Sequence, residues 1–150
     1  LEPWFARSVA EDWVSLRTAL MGLLQDEAEL EEIVQLVGMD ALSAPDRLKL
    51  EAARSIREDF LHQNAFDEVD TYTPLAKQHA MMKLILSYYQ KSLDALKDGV
   101  EIAVLVSLPV REQIGRFKYT ESDQMESRYE AVLAMLDEEL AQARAAKEEL

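Results

Sequence analysis

The chain bends at Leu36-Val37-Gly38-Met39-Asp40-Ala41-Leu42-Ser43-Ala44-Pro45-Asp46-Arg47. Before this bend, apolar residues recur at steps of three and four, ending with Leu30, Ile33, Leu36 and Val37, which is the period of an amphipathic helix. Gly38 follows the last of them, where a glycine can take a positive φ and end a helix. Ser43 is a good N-cap, and Pro45 is tolerated in a first helical turn. The sequence around the bend therefore predicts a helix, a short acidic turn and a second helix.

A second bend follows at Phe60-Leu61-His62-Gln63-Asn64-Ala65-Phe66. Residues 63–73 have no apolar period and are rich in Asn, Asp and Thr, which predicts an ordered loop. Over the whole chain the periodicity predicts six helical segments: residues 9–37 as one helix or two abutting ones, 44–61, 75–97 ended by Gly99, 101–107, 110–118, and a last helix that Ser122 caps. No segment alternates as a strand does. The fold class is an all-α helical bundle of about five to six helices, with the long helices antiparallel.

Composition restricts the partners and the compartment. The 150 residues are expected to form one domain, and 29 acidic against 16 basic side chains give a net charge of −13. Such a chain repels a phosphate backbone and an anionic bilayer, so no nucleic-acid partner is expected. The absence of cysteine fits a reducing compartment and suggests a cytoplasmic location. No apolar run is long enough to span a bilayer, so any membrane association is expected to be indirect.

Few residues suggest chemistry of their own. No Gly-x-x-x-x-Gly-Lys-Ser/Thr motif occurs, so this sequence has no P-loop to hold a triphosphate. Asp59 and His62 have the three-residue spacing of helical metal sites, but the other histidine, His79, lacks a carboxylate three or four residues before it. A metal site is therefore not expected. The acidic run at positions 26, 27, 29, 31 and 32 is interpreted as a solvated helix face. Because the chain begins with Leu rather than Met, it is expected to be a piece of a longer protein.

Several motifs in order carry a family resemblance. They are Leu30-Glu31-Glu32-Ile33-Val34-Gln35-Leu36-Val37-Gly38, the two bends, Asp67-Glu68-Val69-Asp70-Thr71-Tyr72, and Leu108-Pro109-Val110-Arg111-Glu112-Gln113-Ile114-Gly115-Arg116-Phe117-Lys118-Tyr119. Together they resemble the C-terminal helical domain of the catalytic A (alpha) subunit of V/A-type rotary ATPases. The resemblance covers about residues 9–119, and residues 120–150 match only as an acidic helical tail. Arg111 and Arg116 are expected to cap carbonyls or pair with surplus acids.

The resemblance implies two sites. The first bend would contact the central rotor, through Met39, Asp40, Ala41, Leu42, Ser43 and Asp46. Ala41, Ala44 and Pro45 stand where acids occur in related rotary enzymes, so contact through Met39 and Leu42 is favoured over contact through charge. The loop would contribute to the adenine pocket for ATP or ADP, through Gln63, Asn64, Ala65 and Phe66. An aromatic face and amide groups suit a purine; without the resemblance, Phe66 would be interpreted as a core anchor.

The resemblance also implies the function. The chain would be one C-terminal domain, residues 1–150, of a subunit whose P-loop domain, absent from this sequence, holds Mg²⁺ and nucleotide. That subunit would alternate with B subunits around central-stalk rotor subunits and drive proton or sodium transport, in either the hydrolysis or the synthesis direction. The chain alone is expected not to hydrolyse ATP. The alternatives are a free-standing helical interaction module and, less favoured, a helical metalloenzyme.

Overall fold

The computed structural model describes residues 3–61 and 72–148, with side-chain surroundings for residues 12–60 and 75–148. This part of the chain contains six α-helices and no strand. The helices are α1 (Pro3–Val37), α2 (Ala44–Ser55), α3 (Tyr72–Lys97), α4 (Ile102–Val106), α5 (Val110–Arg116) and α6 (Met125–Glu148). Short 3₁₀ turns cover Met39–Ala41, Phe117–Tyr119 and Ser122–Gln124, and a π-helical turn, Ile56–Leu61, continues α2. The prediction of an all-α bundle is confirmed.

The first bend forms as its residues predict. Helix α1 is one continuous helix of 35 residues, which settles the choice between one helix and two. Gly38 has φ 93° and ψ 164°, a region essentially restricted to glycine, and its N–H donates to Val34 O at 2.8 Å. Ser43 caps α2, because its Oγ accepts a hydrogen bond from the Asp46 N–H at 3.3 Å. A glycine and a cap five residues later therefore define the bend.

Several helix boundaries differ from expectation. Helix α1 begins at Pro3 and not at residue 9, and α3 begins at Tyr72, inside the loop predicted over residues 63–73. The segment after Ser55 was predicted as plain α-helix, but Ile56–Leu61 is a π-helical turn. The last helix was predicted to be capped by Ser122, but Ser122 lies inside a 3₁₀ turn in which the Gln124 N–H donates to Glu121 O at 2.9 Å. Helix α6 begins only at Met125, whose side chain is fully buried and fixes the start of the helix in the core.

The helices do not all alternate in direction. Helices α1 and α2 are antiparallel. Val34, near the end of α1, packs with Leu42 just before α2, whereas Leu20 lines one cavity with Ile56 just after α2. Helices α3 and α6 are parallel, because Lys83, Lys91 and Asp98 meet Tyr129, Asp137 and Arg144 in the same order. Residues 98–119 make this possible, since they run back along α3 from Gly99 to Lys118, whose carbonyl accepts from Lys77 Nζ at 3.0 Å. The expectation of antiparallel long helices therefore holds for α1 and α2 and not for α3 and α6.

Helix α3 forms the centre of the core. Its middle was predicted to be apolar on nearly every side, and its side chains are indeed buried, namely Met81, Met82, Leu84, Ile85, Leu86 and Tyr88. Leu48 of α2, Phe117 and Met125 belong to the same core. Helix α6 adds the face formed by Tyr129, Val132, Leu136 and Leu140, with Leu133 partly buried. The helix within residues 120–150 is thus part of the main core.

Arg111 joins four helices. Its Nη1 donates to Glu51 Oε1 and to Val106 O, both at 2.8 Å, and its Nη2 donates to Ser55 Oγ at 3.0 Å and to Glu51 O at 3.2 Å. The guanidinium also lies 5.1 Å from the ring centroid of Tyr88, and burial raises the pKa of that phenol to about 12. The prediction that Arg111 caps carbonyls and pairs with an acid is confirmed. Arg116 pairs with Glu112 at 3.9 Å.

We expect Gly38→Ala to lower the free energy of unfolding by roughly 1–3 kcal/mol, because alanine does not tolerate this φ and ψ. A Cβ at position 38 would meet no atom within 4 Å, so the loss of stability would come from backbone strain alone. Gly22→Ala is the control: it lies inside α1, also faces open space, and should gain up to about 1 kcal/mol. Urea unfolding measures both variants, and equal effects would contradict the assignment of strain to the bend.

Candidate functional site

An exposed apolar surface lies at the end of α1. It consists of Ile33, Leu36, Val37 and Met39, which we call the apolar tip. Leu36 is 83% exposed and Val37 is 67% exposed, although both are large aliphatic side chains. Contiguous exposed apolar residues on a folded domain mark surfaces that bind another molecule. The apolar tip is therefore the main candidate contact surface in the described residues.

The predicted rotor residues of the bend separate into two groups. Met39, Asp40, Ala41 and Ser43 are exposed, and Asp46 is partly buried beside its cap. Leu42 is only 8% exposed and packs with Leu30, Leu50 and Val34 in a small cluster between α1 and α2. The prediction that the Leu42 side chain offers apolar surface to a partner is wrong. It points inward because it closes the bend onto α2.

Leu36 and Val37 are the residues that sequence reasoning missed. They were counted in the same apolar period as Leu30 and Ile33. That period could not separate them, because Leu30, Val34 and Val37 lie at i, i+4 and i+7 of one helical face. Leu30 and Val34 pack with Leu42 and Leu50, whereas Leu36 and Val37 in the last turn of α1 are exposed.

Ion pairs hold the tip to α2 and its π-helical turn. Glu27 was interpreted as part of a solvated face, but it is buried, and Arg57 Nη2 lies 2.6 Å from its Oε2. Asp26 pairs with Lys49 at 3.2 Å. The other three acids of the run, at positions 29, 31 and 32, are exposed as predicted. Together with the Leu42 cluster, these pairs make the end of α1 and the start of α2 one packed unit.

The predicted adenine residues lie outside the described residues. Gln63, Asn64, Ala65 and Phe66 all fall between the π-helical turn and α3, as does His62. Their proximity to adenine stays a prediction. The described segments on either side are fixed in the core, through Ile56 before the loop and Ala76 after it, both buried. The residues predicted to form the loop are therefore flanked by packed helices.

Asp59 lies in the π-helical turn and is partly buried. Burial raises the pKa of its carboxyl group, and Glu58 adds to this, whereas Lys118 and Arg111 oppose it. His79 is buried in α3 and its Nε2 pairs with Asp12. Within residues 3–61 and 72–148, no group of three or more His, Cys, Asp or Glu could hold a metal ion. In the same residues, no helix is long and apolar enough to cross a membrane.

Comparison with known proteins identifies the family of the chain. A family model described as the C-terminal domain of V and A type ATP synthase matches residues 2–105. The chain belongs to this family. It is 57% identical over 145 residues to a V-type ATP synthase alpha chain of Acetivibrio thermocellus, a match that covers 97% of the chain. It is also 54% identical to the proteins of that name from Clostridium botulinum over 127 residues and Thermoanaerobacter pseudethanolicus over 125, covering 85% and 83% of the chain.

The matches cover only part of each relative. They span 24% of the Acetivibrio protein, 22% of the Clostridium botulinum protein and 21% of the Thermoanaerobacter protein. The chain thus corresponds to a little under a quarter of a V-type ATP synthase alpha chain. The family assignment confirms the resemblance inferred from the motifs. The similarity to the Acetivibrio protein also extends beyond residue 120, where the motifs had indicated only an acidic tail.

We expect Asp59→Asn to stabilise the chain near neutral pH. Because the carboxyl pKa is raised in the folded state, the native protein holds this proton more tightly than the unfolded chain does. The free energy of unfolding should therefore fall as the pH rises above the unfolded value of 3.8 and through the folded value. The Asp59→Asn variant has no such carboxyl group and lacks this fall, so its free energy of unfolding should increasingly exceed that of the wild type over this pH range. Urea unfolding across the acidic range measures the difference.

Asp123→Asn is the control, because it removes one exposed carboxylate in the 3₁₀ turn Ser122–Gln124, a different element from that of Asp59. A wild-type curve that rises with pH relative to Asp59→Asn would contradict the direction of the pKa shift.

Proposed function

We propose that this domain couples ATP hydrolysis or synthesis to rotation by pressing its apolar tip on central-stalk rotor subunits. In this proposal the rest of the catalytic subunit carries the P-loop, which holds ATP or ADP with Mg²⁺. The subunit alternates with B subunits in a hexamer, on the cytoplasmic side of a membrane and attached to it only through the ion-translocating complex. The chain itself has no P-loop and is expected to be inactive alone.

The single observation that carries the proposal is the exposure of the apolar tip. Four apolar side chains lie at one end of the bundle, at the bend that the family resemblance assigns to the rotor contact. Removing such side chains from water upon contact supplies free energy without requiring paired charges. This agrees with the sequence of the bend, where Ala41, Ala44 and Pro45 replace acids.

The path from the nucleotide to the tip requires a stiff element. Helix α1 is continuous over 35 residues, or about 52 Å at 1.5 Å per residue. The Glu27–Arg57 and Asp26–Lys49 pairs connect its far end to α2, so the tip cannot rotate independently of that helix. Closure of the nucleotide domain would then swing the bundle as a lever, which is a hinge motion transmitted to a partner.

The adenine contribution is the second part of the proposal. Phe66 supplies a ring face and Gln63 and Asn64 supply amides, which are the groups that hold a purine. The loop is flanked by α3 and by the π-helical turn, both packed in the core. A loop with fixed ends can place a ring reproducibly beside a nucleotide held by another domain.

We expect the double variant Leu36→Gln with Val37→Gln, made in the complete subunit, to uncouple ATP hydrolysis from ion transport. Both side chains are largely exposed, so folding is preserved, whereas the rotor contact loses roughly 1–3 kcal/mol per side chain. The measurement is ions transported per ATP hydrolysed in the reconstituted complex. Val14→Gln is the control, since Val14 is also an exposed aliphatic residue of α1 but lies away from the tip. Unchanged coupling in the double variant would refute the rotor contact.

We expect Phe66→Ala in the complete subunit to weaken nucleotide affinity by roughly 1–3 kcal/mol, the typical loss for one aromatic that stacks on a base. Phe66→Tyr keeps the ring and should retain most of the affinity. Equilibrium binding of ADP to both variants is the measurement. Equal affinity of the alanine variant and the wild type would remove Phe66 from the adenine site, while leaving the rotor contact unaffected.

A further inference from the structure

An open cleft of about 640 Å³ lies between α2, its π-helical turn, α5 and the 3₁₀ turn that follows α5. This volume is in the range of sites that bind a small ligand or a side chain. None of the described residues that line the cleft belongs to the apolar tip. An inference from it therefore does not depend on the proposed function.

The charged side chains of the cleft are nearly all paired. Its walls contain four acids and four bases, namely Glu51, Glu58, Asp59, Glu112, Arg54, Arg111, Arg116 and Lys118. Three of the acids have a cation within 4 Å: Glu51 pairs with Arg111 at 2.8 Å, Glu58 with Arg54 at 3.3 Å, and Glu112 with Arg116 at 3.9 Å. Among residues 12–60 and 75–148, no cation comes this close to the Asp59 carboxylate.

The backbone of α5 comes close to the Asp59 carboxylate. A Cβ placed on Gly115 of α5 would lie 3.0 Å from Asp59 Oδ1, so a larger residue there would require the carboxylate to shift by a few tenths of an ångström. Glycine inside a helix lowers helical stability, and here it makes room for the acid. Asp59 itself lies in a π-helical turn, a distortion that occurs frequently at functional sites. Its raised carboxyl pKa is the electrostatic consequence of burial without a close cation.

The rim of the cleft has an aromatic side chain. Tyr119 lines the cleft and is 75% exposed, and the Lys118 ammonium lies 5.6 Å from its ring centroid, so an added cation would share this ring with Lys118 or displace it. A guanidinium group can pair with a carboxylate through two hydrogen bonds and also stack on an aromatic face. The net charge of −13 also attracts a basic partner.

We infer that this cleft is a docking site for an arginine side chain presented by a partner polypeptide, with Asp59 as the receiving carboxylate and Tyr119 as the stacking face. The guanidinium would supply the cation that Asp59 lacks among its described neighbours. Gly115 would keep α5 close enough to form the opposite wall. The partner is thus recognised by an exposed arginine in a basic segment.

The test uses two blocked peptides, acetyl-Gly-Arg-Gly-amide and its neutral isostere acetyl-Gly-citrulline-Gly-amide. Each is titrated into the complete subunit, and binding is measured by calorimetry. The arginine peptide should bind roughly tenfold or more tightly than the citrulline peptide, because a charge-assisted pair is lost in the isostere. Asp59→Asn should abolish this preference. Its folding is not at risk, since the substitution removes a partly buried charge.

Two further variants separate the site from general electrostatics. Tyr119→Ala removes an exposed ring without disturbing the core and should weaken the arginine peptide by roughly fivefold. Asp123→Asn makes the same charge change as Asp59→Asn outside the cleft and should leave the preference unchanged. The inference is overturned if neither peptide binds, if both bind equally, or if the preference survives in Asp59→Asn.

Discussion

The guanidinium of Arg111 is the constraint on which the arrangement of the short helices depends. It is mostly buried, and its two terminal nitrogens reach a carboxylate, a hydroxyl and two backbone carbonyls on α2 and α4. A buried cation is tolerated only when such partners surround it. Because α5 carries the arginine, these hydrogen bonds tie α4 and α5 to α2. Residues 98–119 then return along α3, and this return makes α3 and α6 parallel.

Much of the fold follows from local rules. The apolar period located the helices, glycine marked the first bend, and Ser43 marked the start of α2, because each of these depends on neighbouring residues only. The π-helical turn could not be predicted in this way. In the fold, Asp59 of this turn lies against Gly115 of α5, a contact between positions far apart in the sequence that no local rule reports. The parallel direction of α3 and α6 is likewise a property of the connection between them.

The candidate contact surface was predicted in position but not in composition. The bend is where the sequence placed it, yet Leu42 is buried, and Leu36 and Val37 are exposed instead. A period of three or four residues shows that a helix has an apolar face without showing how much of that face finds a partner. The sequence pattern also failed to predict that Glu27 is buried. Its acidic neighbours suggested a solvated face, and only the fold shows that Arg57 covers it.

The Glu27–Arg57 pair has a consequence for how the contact between α1 and the π-helical turn behaves in different solutions. The Glu27 side chain is only 10% exposed, although Arg57 is 49% exposed, whereas both side chains of the surface pair Lys91–Asp137 are exposed, at 42% and 58%. Dissolved ions screen exposed pairs strongly and partly buried pairs much less. The Glu27–Arg57 contact is therefore expected to lose less of its strength than the Lys91–Asp137 pair when the salt concentration rises.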